Sequence, residues 1–208
     1  MVNLSIEFEE KLKAYISEIE DKSPIEIVPV IVKKADSYTK VSFVGGLLLA
    51  YMPSLFLASF LPLWGSLVYG IDFAIWFFLS LLFSFVLRKL PFFSFFVPKF
   101  IQQQKVLQKA ESLFLHEGVF ETQERLGILV AVFEFERSVM VLADKGFNGH
   151  VESGYWSKLG ATLANDFNHK NYGEEFFKAL REIDREITPK FKHSGDNPNE
   201  LSDDLRKR

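Results

Sequence analysis

Thirty-one consecutive residues, Val41 to Ile71, carry no charge. No other feature limits the fold as much, because a helix or strand facing water places charged side chains every few residues. Across 41–100 the charged residues are Asp72, Arg88, Lys89 and Lys99, and 13 of the 23 Phe lie there. The whole chain, 208 residues with 48% apolar and 25% charged, therefore averages two unlike parts. This pattern excludes a disordered chain and a collagen-like repeat.

The apolar part divides into two stretches. Phe43–Leu63 is broken only by Gly45, Gly46, Pro53, Ser54, Ser59 and Pro62, and Leu67–Leu87 contains a single charge, Asp72. Each is 21 residues, about 30 Å as a helix, the thickness of one hydrocarbon core. The pattern predicts a transmembrane α-helical hairpin (43–63 and 67–87) turning at Trp64-Gly65-Ser66, with Trp64, Tyr69 and Trp76 as interfacial anchors. Lys33, Lys34, Lys40, Arg88, Lys89 and Lys99 all fall on the side where both ends emerge. The positive-inside rule then predicts a multi-pass protein of the inner (cytoplasmic) membrane with both termini cytoplasmic. The start, Met1 to Asp21, lacks the basic and apolar regions of a signal peptide. Asp72 reads either as a membrane proton or ion site or as a headgroup-level residue near the end of its span. Pro91–Pro98 is too short to cross and is expected at the interface.

The flanking parts follow the patterns of water-soluble elements. Phe8, Leu12, Tyr15, Ile16 and Ile19 make one helical face over 4–22, ended by Ser23-Pro24. Ile25–Val32 reads as a strand, with Pro29 marking a bulge or edge position. After the insert, helices are expected over Gln102–His116, after Ser153 (Trp156, Leu159, Leu163, Phe167) and over Glu174–Ile187. Gly127–Phe133 is apolar throughout, as a strand buried on both faces requires, and Val139–Ala143 returns beside it. Neither flank makes a core alone, so the two are expected to form one α/β domain interrupted by the hairpin. The boundaries are 1–40 and 101–190 for that domain, 41–100 for the insert, and 191–208 for a flexible tail.

Several chemistries are excluded outright. With no Cys there is no disulfide, thiolate nucleophile or Cys-ligated metal. Net charge is −3, with no basic concentration of the kind nucleic acid demands. No phosphate-binding Gly-rich loop, Gly-x-Ser-x-Gly or His-Glu-x-x-His occurs, and His116, His150, His169 and His193 lack metal-ligand spacing. No metal site is expected.

Glu26-Ile27-Val28-Pro29-Val30, Ala110-Glu111-Ser112-Leu113-Phe114, Gly118, Thr122, Arg125 and Gly127-Ile128-Leu129-Val130 follow a familiar order. Glu136-Arg137-Ser138-Val139, Ala143-Asp144-Lys145-Gly146, Trp156 and Asn199-Glu200-Leu201-Ser202-Asp203 continue it. In that order, and in the split after the first strand, the chain resembles the TPM domain, specifically its membrane-embedded branch. The resemblance covers about 1–40 and 100–205. It implies a three-layer sandwich, a small mixed sheet flanked by helices. It also implies a function among those described for the family: phosphatase activity, divalent-cation binding or membrane-protein maintenance. The sequence departs from the soluble branch at Glu124-Arg125-Leu126-Gly127 and Asp144-Lys145-Gly146, which removes part of that branch's acidic cluster.

The candidate ligand or ion site is Glu124, Arg125, Asp144, Lys145 and Gly146, with Glu134 and Glu136 as a further carboxylate pair if they share a strand face. Arg125 is expected either to hold an anion or to pair with Asp144. The expected function is a membrane-anchored cytoplasmic binding or scaffold module, its partners the lipid bilayer and either another membrane protein or a second copy. One alternative is a divalent-cation-dependent phosphohydrolase using Glu124, Asp144 and Glu134, the cation being its one cofactor. The other is an oligomeric pore or transporter subunit with Asp72 lining a channel.

Overall fold

The computed structural model describes residues 6–48, 66–87, 97–165, 173–191 and 199–208. The chain divides into two compact units, one formed by 1–35 with 103–208 and the other by 36–102.

The first unit is a four-stranded mixed sheet flanked by helices. α1 (Ile6–Glu20) buries Leu12, Ile16 and Ile19, the stripe set by their helical spacing. It also buries Glu20, which the sequence pattern places off that face. The helix ends where the Ser23 hydroxyl donates to the Ile19 carbonyl at 3.1 Å, ahead of Pro24. β1 (Glu26–Val32) and β2 (Gly127–Phe133) pair in parallel through all seven positions, Glu26 opposite Gly127 and Val32 opposite Phe133. β3 (Ser138–Ala143) returns antiparallel to β2, with Ile128 opposite Ala143.

β4 (Arg206–Lys207) pairs in parallel with Val30 and Ile31 on the free side of β1, giving the order β3-β2-β1-β4. The expected flexible tail is thus corrected: 199–208 docks on the sheet, while 192–198 lies outside the described residues. Pro29 fits this edge. The Glu26 N–H donates to Leu126 on the β2 side, and the Ile27 N–H donates to Glu20 on the other. Alternation turns the Pro29 nitrogen to that other side, short of where β4 begins, so no ladder bond is lost there.

Both faces of the sheet are covered, which is why β1 and β2 are apolar throughout. Ile27, Ile31, Ile128, Val130 and Val132 pack against α1, α5 (Tyr155–Asn165) and α6 (Gly173–Glu186). Val28, Val30, Leu129, Ala131 and Phe133 pack against Val106, Ala110 and Leu113 of α4 (Lys99–His116). Val106, Ala110 and Leu113 of α4 and Phe176, Leu180 and Ile183 of α6, each set spaced along one helical face, are buried.

The second unit contains a helix over 39–48, here α2, and α3 (Ser66–Leu87). An Asp36 carboxylate accepts the Tyr38 N–H at 2.7 Å just before α2, and Tyr38 is buried. Among the described residues no helix is long and apolar enough to cross a membrane. This overturns the expected transmembrane hairpin, the multi-pass assignment and the inner-membrane location. A charge-free run records what a segment avoids and does not by itself make a membrane span. The described part of α2 includes Lys40 in its first turn. The rest of the first expected span, its Trp64-Gly65 turn and 91–96 lie outside the described residues, as do the side chains of Tyr69, Asp72 and Trp76. Within α3, Phe78, Leu82 and Phe85 are exposed.

Candidate functional site

The β2–β3 register brings the residues before β2 beside those after β3. Arg125 and Asp144, 19 positions apart, meet in a two-pronged ion pair: Arg125 Nε to Asp144 Oδ2 at 2.5 Å and Arg125 Nη2 to Oδ1 at 3.1 Å. Asp144 Oδ1 also accepts the Lys145 N–H at 2.7 Å, capping a single 3-10 turn over Lys145–Phe147. The Asp144 side chain is 7% exposed and that of Arg125 37%. The pairing holds the Arg125 guanidinium above its ordinary pKa, through its bond to the carboxylate. Of the two expected roles for Arg125, the structure shows the pair.

The backbone around this pair is tightly set. Arg125 adopts φ +59°, a left-handed conformation, and its carbonyl accepts the Gly146 N–H at 3.0 Å. A Cβ at 146 would lie 2.5 Å from the Arg125 oxygen and 2.7 Å from that of Glu124, so close backbone approach requires the glycine. Glu124 and Lys145 are exposed on either side.

Glu134 and Glu136 are elsewhere. They sit in the turn joining β2 to β3, separated from Arg125 and Asp144 by the length of β2, about 20 Å. The residues 134–137 form a turn and not a strand, so alternation does not place the two carboxylates on one face. Glu136 is buried, and its Oε1 accepts the Ala35 N–H at 3.0 Å. The seven candidates therefore form two groups at opposite ends of β2. Among the described residues, no group of three or more His, Asp or Glu is placed to hold a metal ion. Asp144 also lies at the amino ends of the parallel strands, opposite the carboxyl-end crevice where α/β sheets usually bind ligands.

Sequence reasoning missed a third group at this same end of the sheet. Glu20, Glu26 and Asp203 are each at most 5% exposed. Glu26 accepts the N–H groups of Glu200 (3.3 Å) and Leu201 (3.1 Å), and Asp203 accepts Asn199 Nδ2 at 2.7 Å. Burial, with Glu26 and Asp203 alongside, pushes the Glu20 carboxyl up to about 9. Burial also raises Glu26, against the lowering effect of its two N–H partners. Gln123 N–H donates to the Glu200 carboxylate at 2.9 Å, tying the loop that holds Arg125 to this segment. The available signal was Asn199-Glu200-Leu201-Ser202-Asp203, five residues with an ordered-turn composition inside a presumed tail.

These features define a mixed α/β domain whose sheet ends in a salt-bridged pair of turns. No family model matches the chain, and no curated protein matches it. Among solved structures it is similar to the NMR structure of BA42 protein from the psychrophilic bacterium Bizionia argentinensis. The TM-score is 0.59 over 99% of this chain and 96% of that one, at 14% identity, a likeness of fold alone.

Proposed function

We propose that the chain is a TPM-like α/β domain, a three-layer sandwich in the sense of that family, serving as a non-enzymatic binding or scaffold module. The observation that carries this reading is the state of Asp144. Its carboxylate is buried and already spent on Arg125 and on the Lys145 N–H, which gives it the part of a brace and not of a base or ligand. The brace fixes two exposed neighbours of opposite charge, Glu124 and Lys145, on a stiff pair of turns. Such a dipolar edge suits a protein surface of complementary charge, either another protein or a second copy of this chain.

The test is a charge swap, Glu124→Lys with Lys145→Glu, in the full chain. Quantitative affinity purification from native cells should lose a specific partner, or analytical ultracentrifugation should lose self-association, while the thermal midpoint stays unchanged. Saturable, cation-dependent release of phosphate from a phosphomonoester, abolished by Asp144→Asn, would overturn the reading in favour of hydrolysis.

A further inference from the structure

The C-terminal segment is attached to the sheet in an unusual way. Its ladder with β1 is only two residues long, Arg206 and Lys207, with the Arg208 N–H donating to the Ile31 carbonyl (2.8 Å) and the Arg208 carbonyl accepting from the Lys33 N–H (3.0 Å). Two residues of ladder are far too few to hold a strand by themselves. Side chains supply the rest. Lys13–Asp204 and Lys207–Glu9 reach α1 at 2.8 and 2.6 Å, and Arg206 and Arg208 share Glu117 at 2.8 and 2.7 Å. The first two of these pairs are well exposed and therefore weak. Arg206–Glu117 is largely enclosed, with side chains 19% and 8% exposed; the more deeply buried attachment is the acidic one, the Glu26 carboxylate on the Glu200 and Leu201 N–H groups, and Asp203 set beside Glu20.

That arrangement has an electrostatic condition. Glu20 on α1, Glu26 on β1 and Glu200 and Asp203 in the segment are all acidic, and the neighbours that act on Glu20 besides the Ile27 N–H are Glu26 and Asp203. Lys13 and Lys22, the nearest bases in sequence on α1 and its C-terminal end, are engaged with Asp204, and with Glu18 and Asp184 of α6. Three buried carboxylates cannot all be charged in one place at low cost, so one of them must carry a proton while the segment is docked.

We propose that 199–208 is a proton-latched strap: a proton held on the Glu20 carboxyl keeps Asp203 and the Glu26-bound turn seated, and the strap loosens progressively as the medium becomes more alkaline. Opening returns Glu20 to water, where it ionises readily. It also frees the Ile31 carbonyl and the Lys33 N–H, leaving an unpaired stretch at the end of β1. Each opening event releases one proton and breaks no covalent bond.

Amide hydrogen exchange on the full chain tests this. Protection factors of Leu201 and Arg208 should fall by close to tenfold per pH unit between pH 6 and 8, and lie well below those of β2. In Glu20→Gln, whose amide cannot ionise, the same protection factors should no longer change with pH. A wild-type strap with pH-independent protection, a strap that opens only together with β2, or a Glu20→Gln strap that keeps the slope would each overturn the proposal. Should Glu20→Gln fail to fold, the carboxyl carbon shift of Glu20 in the wild-type chain decides. A midpoint near 9 supports the latch, and one near 4.5 overturns it.

Discussion

Replacing Asp144 by Ala removes three hydrogen-bond acceptor contacts from one carboxylate: two to Arg125 and one to the Lys145 N–H. The losses differ in kind. Loss of the cap on Lys145–Phe147 costs about 1 kcal/mol, the usual value for removing an Asp cap. The Arg125 pair is two-pronged, which favours it, but the guanidinium side chain is 37% exposed, so water takes back much of the Coulomb energy. The pair is therefore worth about 1 kcal/mol. Asp144→Ala should destabilise the chain by about 2 kcal/mol, Arg125→Ala by about 1, and the double variant by about 2, because the pair is lost only once. Urea unfolding of the four proteins measures the coupling directly. A coupling below about 0.3 kcal/mol would show that Arg125 and Asp144 do not brace one another in solution. Asp144 would then be available to a ligand, and the scaffold reading would lose its support.

Other outcomes follow from the same structure. Gly146→Ala should cost about 1–3 kcal/mol, because the added Cβ meets two backbone carbonyls instead of a movable side chain; an unchanged thermal midpoint would refute the close approach. Phe133→Ala, deep between β2 and α4, should cost about 3–5 kcal/mol in a urea titration, whereas Leu115→Ala, 64% exposed, should be close to neutral. Stability should also depend on pH through Glu20. Its folded pKa is raised from 4.5 to about 9, so its contribution is fully present below pH 4.5 and is lost as pH rises toward 9. Chemical denaturation at several pH values should show a fall approaching about 1.4 kcal/mol per unit in that window, and Glu20→Gln should flatten it.

Much of the α/β unit was legible residue by residue. The Leu12–Ile16–Ile19 stripe, the continuous Gly127–Phe133 run and the Phe176–Leu180–Ile183 stripe each state which face is buried, because burial of apolar area is local enough to leave a period in the sequence. The meeting of Arg125 with Asp144 was half legible. A strand on either side of a short turn brings its flanks together, and the sequence left both anion binding and ion pairing open, with the pair favoured. The Glu134–Glu136 pair was conditional on a strand, where alternation holds; those residues form the turn that the sequence favoured there. The long uncharged run was read as two membrane spans, but absence of charge is a statement about composition, and among the described residues no helix is long and apolar enough to cross a membrane.

Sequence alone determined the periodicities and therefore the helices, the buried strands and the need for two separated flanks to share one core. Tertiary structure decided what no period encodes. It chose Asp144 as the partner of Arg125, put Glu134 and Glu136 about 20 Å away at the other end of β2, and gathered Glu20, Glu26 and Asp203 from across the chain. The physical reason is range. Hydrophobic patterning acts over a few residues of one element, whereas a carboxyl's charge state is set by whatever the fold brings within a few ångströms of it.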